Sequence, residues 1–284
     1  MLVTIYIPTK DRVASLARSV ESALNQTYRD IEVIVINDGS TDGTEEYLVN
    51  LSIRDARVRS INNSQPRGAP VARNMAVNLA KGHFVTGLDD DDCFEPERIS
   101  AFVAYWELLA RHGVTPSCLY AQDRIVDGKT NNRVTKKPGH VEYEDLFDHN
   151  YLGNQIFAPR HHLVAAGLFD EALPAWQDLE FFMRVLKKFG TAYLLDMVTH
   201  VFDDSPRPDR ISQQSRNKLS AAFRQVVHKH APSCHRQRQR LFLQIFDPYY
   251  GFRPRLGDWV AFMRDGIWLV GMLRLAKAAI RKYQ

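Results

Sequence analysis

The chain has 284 residues, 45% hydrophobic and 25% charged, which admits one large α/β domain with an appendage and excludes a disordered or low-complexity chain. Its net charge of +4 conceals an asymmetry: residues 205–284 carry 16 Lys+Arg against 4 Asp+Glu, and residues 1–204 carry 21 against 29. An acidic body with a basic tail calls for a polyanionic partner near the tail, either nucleic acid or an anionic membrane surface.

The N-terminus, Met1 to Pro8, is apolar but lacks the basic start and cleavage site of a signal peptide, so it reads as a buried first strand over Val3–Ile7. Helical spacing of Val13, Leu16, Val20 and Leu24 predicts a helix over Arg12–Asn25. A strand over Ile31–Ile36 ends in the turn Asn37-Asp38-Gly39-Ser40, and a helix follows over Thr44–Leu51. Val58–Asn62 reads as a strand, Pro70–Lys81 as a helix, and Phe84–Leu88 as a strand that runs into Asp89-Asp90-Asp91-Asp92. Beyond it we expect a helix over Pro96–His112, a strand over Ser117–Ile125 and a polar excursion over Asp127–Gly139. A helix then opens at Trp176-Gln177-Asp178-Leu179-Glu180, followed by a strand over Ala192–His200, a loop over Asp203–Arg210 and a basic, mostly helical remainder. Strand–helix alternation of this kind predicts a Rossmann-like, mostly parallel sheet flanked by helices, with ligands beyond the carboxyl ends of the strands. The polar clusters Pro8–Arg12, Asn37–Asp42 and Asp89–Asp92 all fall there. The three cysteines, Cys93, Cys118 and Cys234, are widely spaced and odd in number, which suits a reducing compartment and no disulfide frame.

Four consecutive aspartates repel one another unless neutralised, and hard oxygen ligands on a short turn suit Mg²⁺ or Mn²⁺ completed by substrate phosphates. The same letters also describe a solvated acidic loop. Pro8–Arg12 has no glycine, which argues against a phosphate-cradling or dinucleotide loop. Asn37–Thr44 is by itself only a turn with good helix-capping chemistry.

Taken together, these segments resemble the family-two glycosyltransferases of the GT-A fold. The resemblance spans about the first 200 residues: the strand ending in Pro8-Thr9, the turn Asn37-Asp38-Gly39-Ser40-Thr41-Asp42, Gly68-Ala69 before Ala72-Arg73-Asn74, and Gly82-His83-Phe84 leading to Leu88-Asp89-Asp90-Asp91-Asp92 with Pro96 beyond. It implies an inverting transfer from a nucleoside-diphosphate sugar, UDP-linked, assisted by Mn²⁺ or Mg²⁺. It places Pro8, Thr9, Asp38 and Arg73 on the nucleotide. Asp89 would face the ribose, with Asp90 beside it in the donor site; Asp91 would ligate the metal and Asp92 would organise the site. Asp11 departs from the Asn of many relatives. Relatives carry an acidic pair before a helix whose Asp is the general base; Asp178 fits, with Gln177 in place of Glu, and Glu180 is the fallback. An Asp at that point also favours a helix N-terminus electrostatically. The segment His200–Ser212 resembles a loop that closes over the donor, so that His200 would complete the metal shell and Arg207 or Arg210 would touch the diphosphate.

On this reading residues 1–204 form the transferase domain, with a nucleotide-sugar half over 1–100 and an acceptor half over 101–204; residues 205–284 form the closing loop and a basic helical region. Trp259, Trp268, several aliphatic residues and the cations Arg274, Lys277 and Arg281 suit a helix lying in an anionic membrane interface, or one packed on the body or on another subunit. The resemblance implies a lipid-diphosphate-linked saccharide acceptor in bacterial surface-polysaccharide synthesis, at the inner face of the cytoplasmic membrane. The alternatives are a catalytically silent sugar-nucleotide-binding module and a sugar nucleotidyltransferase. The acidic body and the lack of a binding motif argue against nucleic acid.

Overall fold

The computed structural model describes residues 1–127, 132–205 and 215–281. They fall into two compact units, the first made of Met1–Glu142, Tyr151–Glu171 and Phe181–Pro206, the second of Tyr143–Asn150, Ala172–Glu180 and Arg207–Gln284. The division is therefore not a single cut near residue 204: two short internal segments join the C-terminal unit.

The first unit is built on β1 (Val3–Thr9), β2 (Ile31–Asn37), β3 (Val58–Asn62) and β4 (Phe84–Gly87), all parallel and ordered β3-β2-β1-β4. Every residue of β2 and nearly every residue of β1 is buried, as expected of β-branched runs covered on both faces. Between them run α1 (Val13–Leu24), α2 (Thr44–Arg54) and α3 (Ala69–Leu79). In α1 the buried residues Leu16, Val20 and Ala23 recur at helical spacing.

From β1 the chain steps outward through β2 and β3, then returns to place β4 on the other side of β1. The strand order thus reverses between β1 and β4, the position at which open α/β sheets leave a crevice. Register aligns Thr9 with Asn37 and Tyr6 with Gly87, so the residues after all three strands emerge at the same edge.

The sheet continues through β5 (Cys93–Phe94), β6 (Leu119–Val126), β7 (Asn132–Val134), β8 (His140–Val141), β9 (Phe157–Pro159) and β10 (Ala192–Asp203), with α4 (Arg98–Arg111), α5 (Arg160–Ala165) and α6 (Gln177–Phe189) between them. The expected mostly parallel sheet is present, with β6 and β10 forming a further parallel pair, but β9 runs antiparallel to both β4 and β6. The polar excursion holds β7, antiparallel to β6. Stacked rings of Phe84, Phe157 and Phe102, with centroids 4.5 and 5.1 Å apart, fill the core beneath this junction.

The second unit contains α7 (Arg216–His230), α8 (His235–Gln244), α9 (Leu256–Arg264) and α10 (Leu269–Ile280). Ser215 caps α7, accepting from the Lys218 N–H. Leu219, Val226, Leu241, Phe246, Phe262 and Leu275 are buried. The segment expected to form one interfacial helix is two helices, broken where Gly266 adopts φ +99°, a left-handed geometry that suits glycine. Among the described residues no helix is long and apolar enough to cross a membrane.

Candidate active site

The ends of β1 and β2 are laced together. Asp11 accepts from the Thr41 N–H at 2.7 Å, Ser40 Oγ accepts from the Asp11 N–H at 2.8 Å, and Asp42 accepts from the Val13 N–H at 2.8 Å, closing the start of α1 from a distant loop. Asp11 has φ +52°, a conformation that Asn and Asp tolerate better than other side chains, which gives a physical reason for the Asn-to-Asp exchange at this position.

Asp38 is 5% exposed, and its carboxylate accepts from Asn63 Nδ2 (2.9 Å), the Arg67 N–H (2.8 Å) and the Gly68 N–H (2.7 Å). It therefore clamps the loop that leads into α3. Gly39, at φ +74°, lies against that loop: a Cβ would meet Pro66 at 3.0 Å. Pro8 and Thr9 close β1 opposite Ile36 and Asn37. The Thr9 hydroxyl turns inward and donates to Asp90 Oδ2 at 2.7 Å, so in this structure it serves the acidic turn instead of facing a nucleotide.

The four aspartates alternate. Asp90 and Asp92 are buried, 6% and 1% exposed, whereas Asp89 and Asp91 remain partly open. Asp89 takes Arg73 at 3.0 Å and Asn154 Nδ2 at 2.7 Å. Arg73 is itself buried, with its guanidinium 5.4 Å from the Phe169 ring centroid. Arg12 bridges Asp90 Oδ1 at 3.0 Å and Asp91 Oδ2 at 3.1 Å. Burial pushes the Asp90 carboxyl above the ordinary carboxylate range even against Arg12 and Thr9. Held inward by those two partners, Asp90 is not presented to a donor as expected.

Behind the turn lies a buried chain of charged groups. Two register shifts around Val198 set His200 in β10 opposite Asp123 in β6 and Phe94 in β5. His200 is 1% exposed; its Nε2 lies 3.1 Å from Asp92 Oδ2 and its Nδ1 3.1 Å from Asp123 Oδ1. Burial works against the imidazolium, but the two carboxylates outweigh it and hold His200 above its ordinary pKa. With a carboxylate 3.1 Å from each ring nitrogen, His200 is fixed in orientation beside Asp92. Burial likewise opposes the Asp123 charge, but His200 and Lys137, whose Nζ is 2.7 Å away, hold that carboxyl down to about 2. Asp92 also accepts from the Asp203 N–H at 3.0 Å and lies 3.4 Å from Asn154 Nδ2. Asn154, Asp123, Lys137 and Asp203 are site residues that sequence reasoning missed.

Among the described residues no group of three or more His, Cys, Asp or Glu side chains is arranged to hold an ion alone. Two partly open carboxylates, Asp89 and Asp91, suit a hard cation that takes its remaining ligands from water and phosphate.

In the second unit, Asp178 is half-buried in the first turn of α6, just after Trp176, whose φ of +60° is rare for a bulky residue. The Trp176 indole donates to Tyr250 Oη at 3.1 Å. Burial raises the Tyr250 phenol against that bond, with the Asp178 charge adding to the shift. Glu180, the fallback base, is wholly buried and lies 3.2 Å from Lys229 Nζ and 3.3 Å from His230 Nε2, which withdraws it from a substrate. Arg207 and Arg210, expected at a diphosphate, lie outside the described residues.

The glycosyl transferase family 2 profile matches residues 4–165. The chain is 31% identical over 204 residues to the putative colanic acid biosynthesis glycosyl transferase WcaA of Escherichia coli K12, covering 70% of this chain and 71% of that protein. It is 40% identical over 106 residues to the E. coli UDP-Glc:alpha-D-GlcNAc-diphosphoundecaprenol beta-1,3-glucosyltransferase WfaP, over 37% of this chain and 41% of the relative. Its fold is similar to that of S. aureus TarS residues 1–349, crystallised with UDP-GlcNAc, at a TM-score of 0.70 and 17% identity over 98% of this chain and 79% of that one. With the β1/β4 crevice, the acidic turn and these matches in agreement, the chain belongs to glycosyl transferase family 2 and has its GT-A fold.

Proposed function

We propose that this glycosyltransferase moves a sugar from a UDP-linked donor, with inversion, onto a hydroxyl of a lipid-diphosphate-linked saccharide in bacterial surface-polysaccharide synthesis. The observation that carries the reading is the alternation at the end of β4, which leaves Asp89 and Asp91 open at the strand-order reversal while Asp90 and Asp92 turn inward. Support for the donor comes from the WfaP name and from the UDP-GlcNAc complex of TarS; the WfaP name also supports a diphosphate-lipid acceptor. Such an acceptor puts the reaction at the inner face of the cytoplasmic membrane.

In this reading Pro8, Asp38 and Arg73 line the nucleotide, Asp89 faces its ribose, and Asp91 holds Mn²⁺ or Mg²⁺. When bound, the ion supplies positive charge to the diphosphate. Arg73 and Asn154 fix the Asp89 rotamer, and the His200–Asp123–Lys137 chain fixes Asp92. Asp178 takes the proton from the attacking hydroxyl. No residue is assigned as a covalent nucleophile, so a single displacement converts an α-linked donor into a β-linked product.

The test is the product anomer together with the Asp178→Asn variant, which keeps the size of the side chain but cannot accept the proton. We expect a β-anomeric product by proton NMR, near-normal donor binding, and a fall in kcat of ~10²–10⁴-fold. A retained anomer would overturn the mechanism; near-normal turnover by the variant would overturn the base assignment alone.

A further inference from the structure

The C-terminal helices carry two apolar faces, and the described residues cover only one of them. On one side, α9 turns Phe262 inward and α10 turns Leu275 and Ala278 inward, all nearly inaccessible, with α10 packed on α8. Phe262 stacks on Trp268 at a centroid distance of 6.3 Å, and Gly271 sits so close to both rings that a Cβ would collide with them. On the other side, Leu256 (87% exposed), Val260, Met263, Ile267 (78%), Val270 and Leu273 (63%) stand in solvent. Leu256, Val260 and Met263 recur at i, i+4 and i+7, and Val270 and Leu273 at i and i+3, so these residues form stripes and are not scattered. Large aliphatic side chains gathered in this way mark an interaction surface.

The charges around the stripes identify the partner. Arg255, Arg264 and Lys277 are exposed. The nearby acids are already engaged: Asp258 with Arg216, and Asp265 with Arg238 at 2.8 Å and His235 at 3.1 Å. The bare face is therefore rimmed by positive charge. A second copy would bring the same cations against themselves, whereas anionic headgroups complement them. Trp259 and Trp268, both half-buried, flank the stripes, and indole rings favour the headgroup level. Helices of 9 and 12 residues are too short to span a bilayer but suit one lying in its surface.

We infer that the outer faces of α9 and α10 form a docking surface for a bilayer carrying anionic lipid, with the aliphatic stripes inserted among the acyl chains and Arg255, Arg264 and Lys277 on the headgroups. The inference deepens the reading of a lipid-linked acceptor and rests on it for its purpose. Its test uses neither donor nor acceptor, so the two can fail separately.

The test is co-sedimentation of the full chain with phosphatidylglycerol–phosphatidylcholine vesicles and with pure phosphatidylcholine vesicles. We expect binding to the anionic vesicles, weakened by salt, and little binding to the neutral ones. The double variant Val260→Asp/Leu273→Asp alters only exposed positions, so its thermal unfolding should match the wild type while vesicle binding falls at least about tenfold. Arg264→Glu/Lys277→Glu should lose the preference for anionic lipid by a similar factor. The inference is overturned if the wild type ignores anionic vesicles, or if the aspartate variant binds them as the wild type does. It is also overturned if sedimentation velocity finds a dimer that the aspartate variant converts to a monomer, which would make the face a contact between copies.

Discussion

At the end of β4 four adjacent carboxylates meet Thr9, Arg12, Arg73, Asn154, His200 and a backbone N–H. Along α9 and α10 a comparable number of large aliphatic side chains stay 44–87% exposed among the described residues. The first region settles an electrostatic problem within the chain, because carboxylates removed from water need partners in fixed positions. The second leaves a hydrophobic problem open although buried apolar residues lie within the same helices. The difference teaches that polar crowding and apolar exposure point to different kinds of ligand. A preorganised acidic turn with two accessible carboxylates is shaped for a small charged species, and a bare apolar stripe for an extended phase.

The comparison breaks most readily at the inner face of the helices. Phe262→Ala removes a ring held among Phe242, Trp268 and Gly271, and should lower stability by about 3–5 kcal/mol, read as a fall in the chemical-denaturation midpoint. An effect no larger than that of the exposed substitutions would mean that neither face of α9 is packed.

At the acidic turn, Asp91→Ala should reduce transfer by more than about a hundredfold, or about 2.7 kcal/mol, and weaken metal-dependent UDP binding by calorimetry. Circular dichroism should stay unchanged, since Asp91 is partly open. Full activity in excess chelator would remove the metal from the reading.

The third expectation concerns pH. Asp123 has a folded-state pKa of about 2, below the 3.8 of an ordinary Asp. Its contribution to stability is therefore complete above the unfolded value and is lost as pH falls through the folded one. Asp123→Asn should be less stable than the wild type by about 2 kcal/mol at neutral pH, and the gap should narrow between about pH 4 and pH 2. A gap independent of pH would assign the effect to packing instead of charge.

Much of the first unit was legible because its strands are β-branched runs and its helices show apolar residues every three or four positions. Val58–Asn62 matches β3 residue for residue. The two-residue strands β5 and β8 have no period to detect, and the direction of β9 depends on partners distant in sequence. The strand-end segments were readable as ordered motifs. The supporting residues were not: Asn154 reaches Asp89 across 65 positions, and His200 reaches Asp92 across 108. Lys137 is one lysine in a polar stretch until folding sets it on Asp123. One signal was available and missed, since extending the period-two alternation of β4 past Leu88 puts Asp90 and Asp92 on one side and Asp89 and Asp91 on the other.

That alternation bears on how the run of aspartates can be compared between relatives. Because its four letters are identical, an Asp-x-Asp can be placed on it at 89 and 91 or at 90 and 92. Spelling cannot choose between the two placements. Solvent access can, because a slip of one residue exchanges the outward pair for the buried pair bonded to Thr9 and His200. Where this turn is lengthened or shortened by one residue in a related chain, the count of aspartates is a poor guide, and the residue facing the strand-end threonine fixes the numbering.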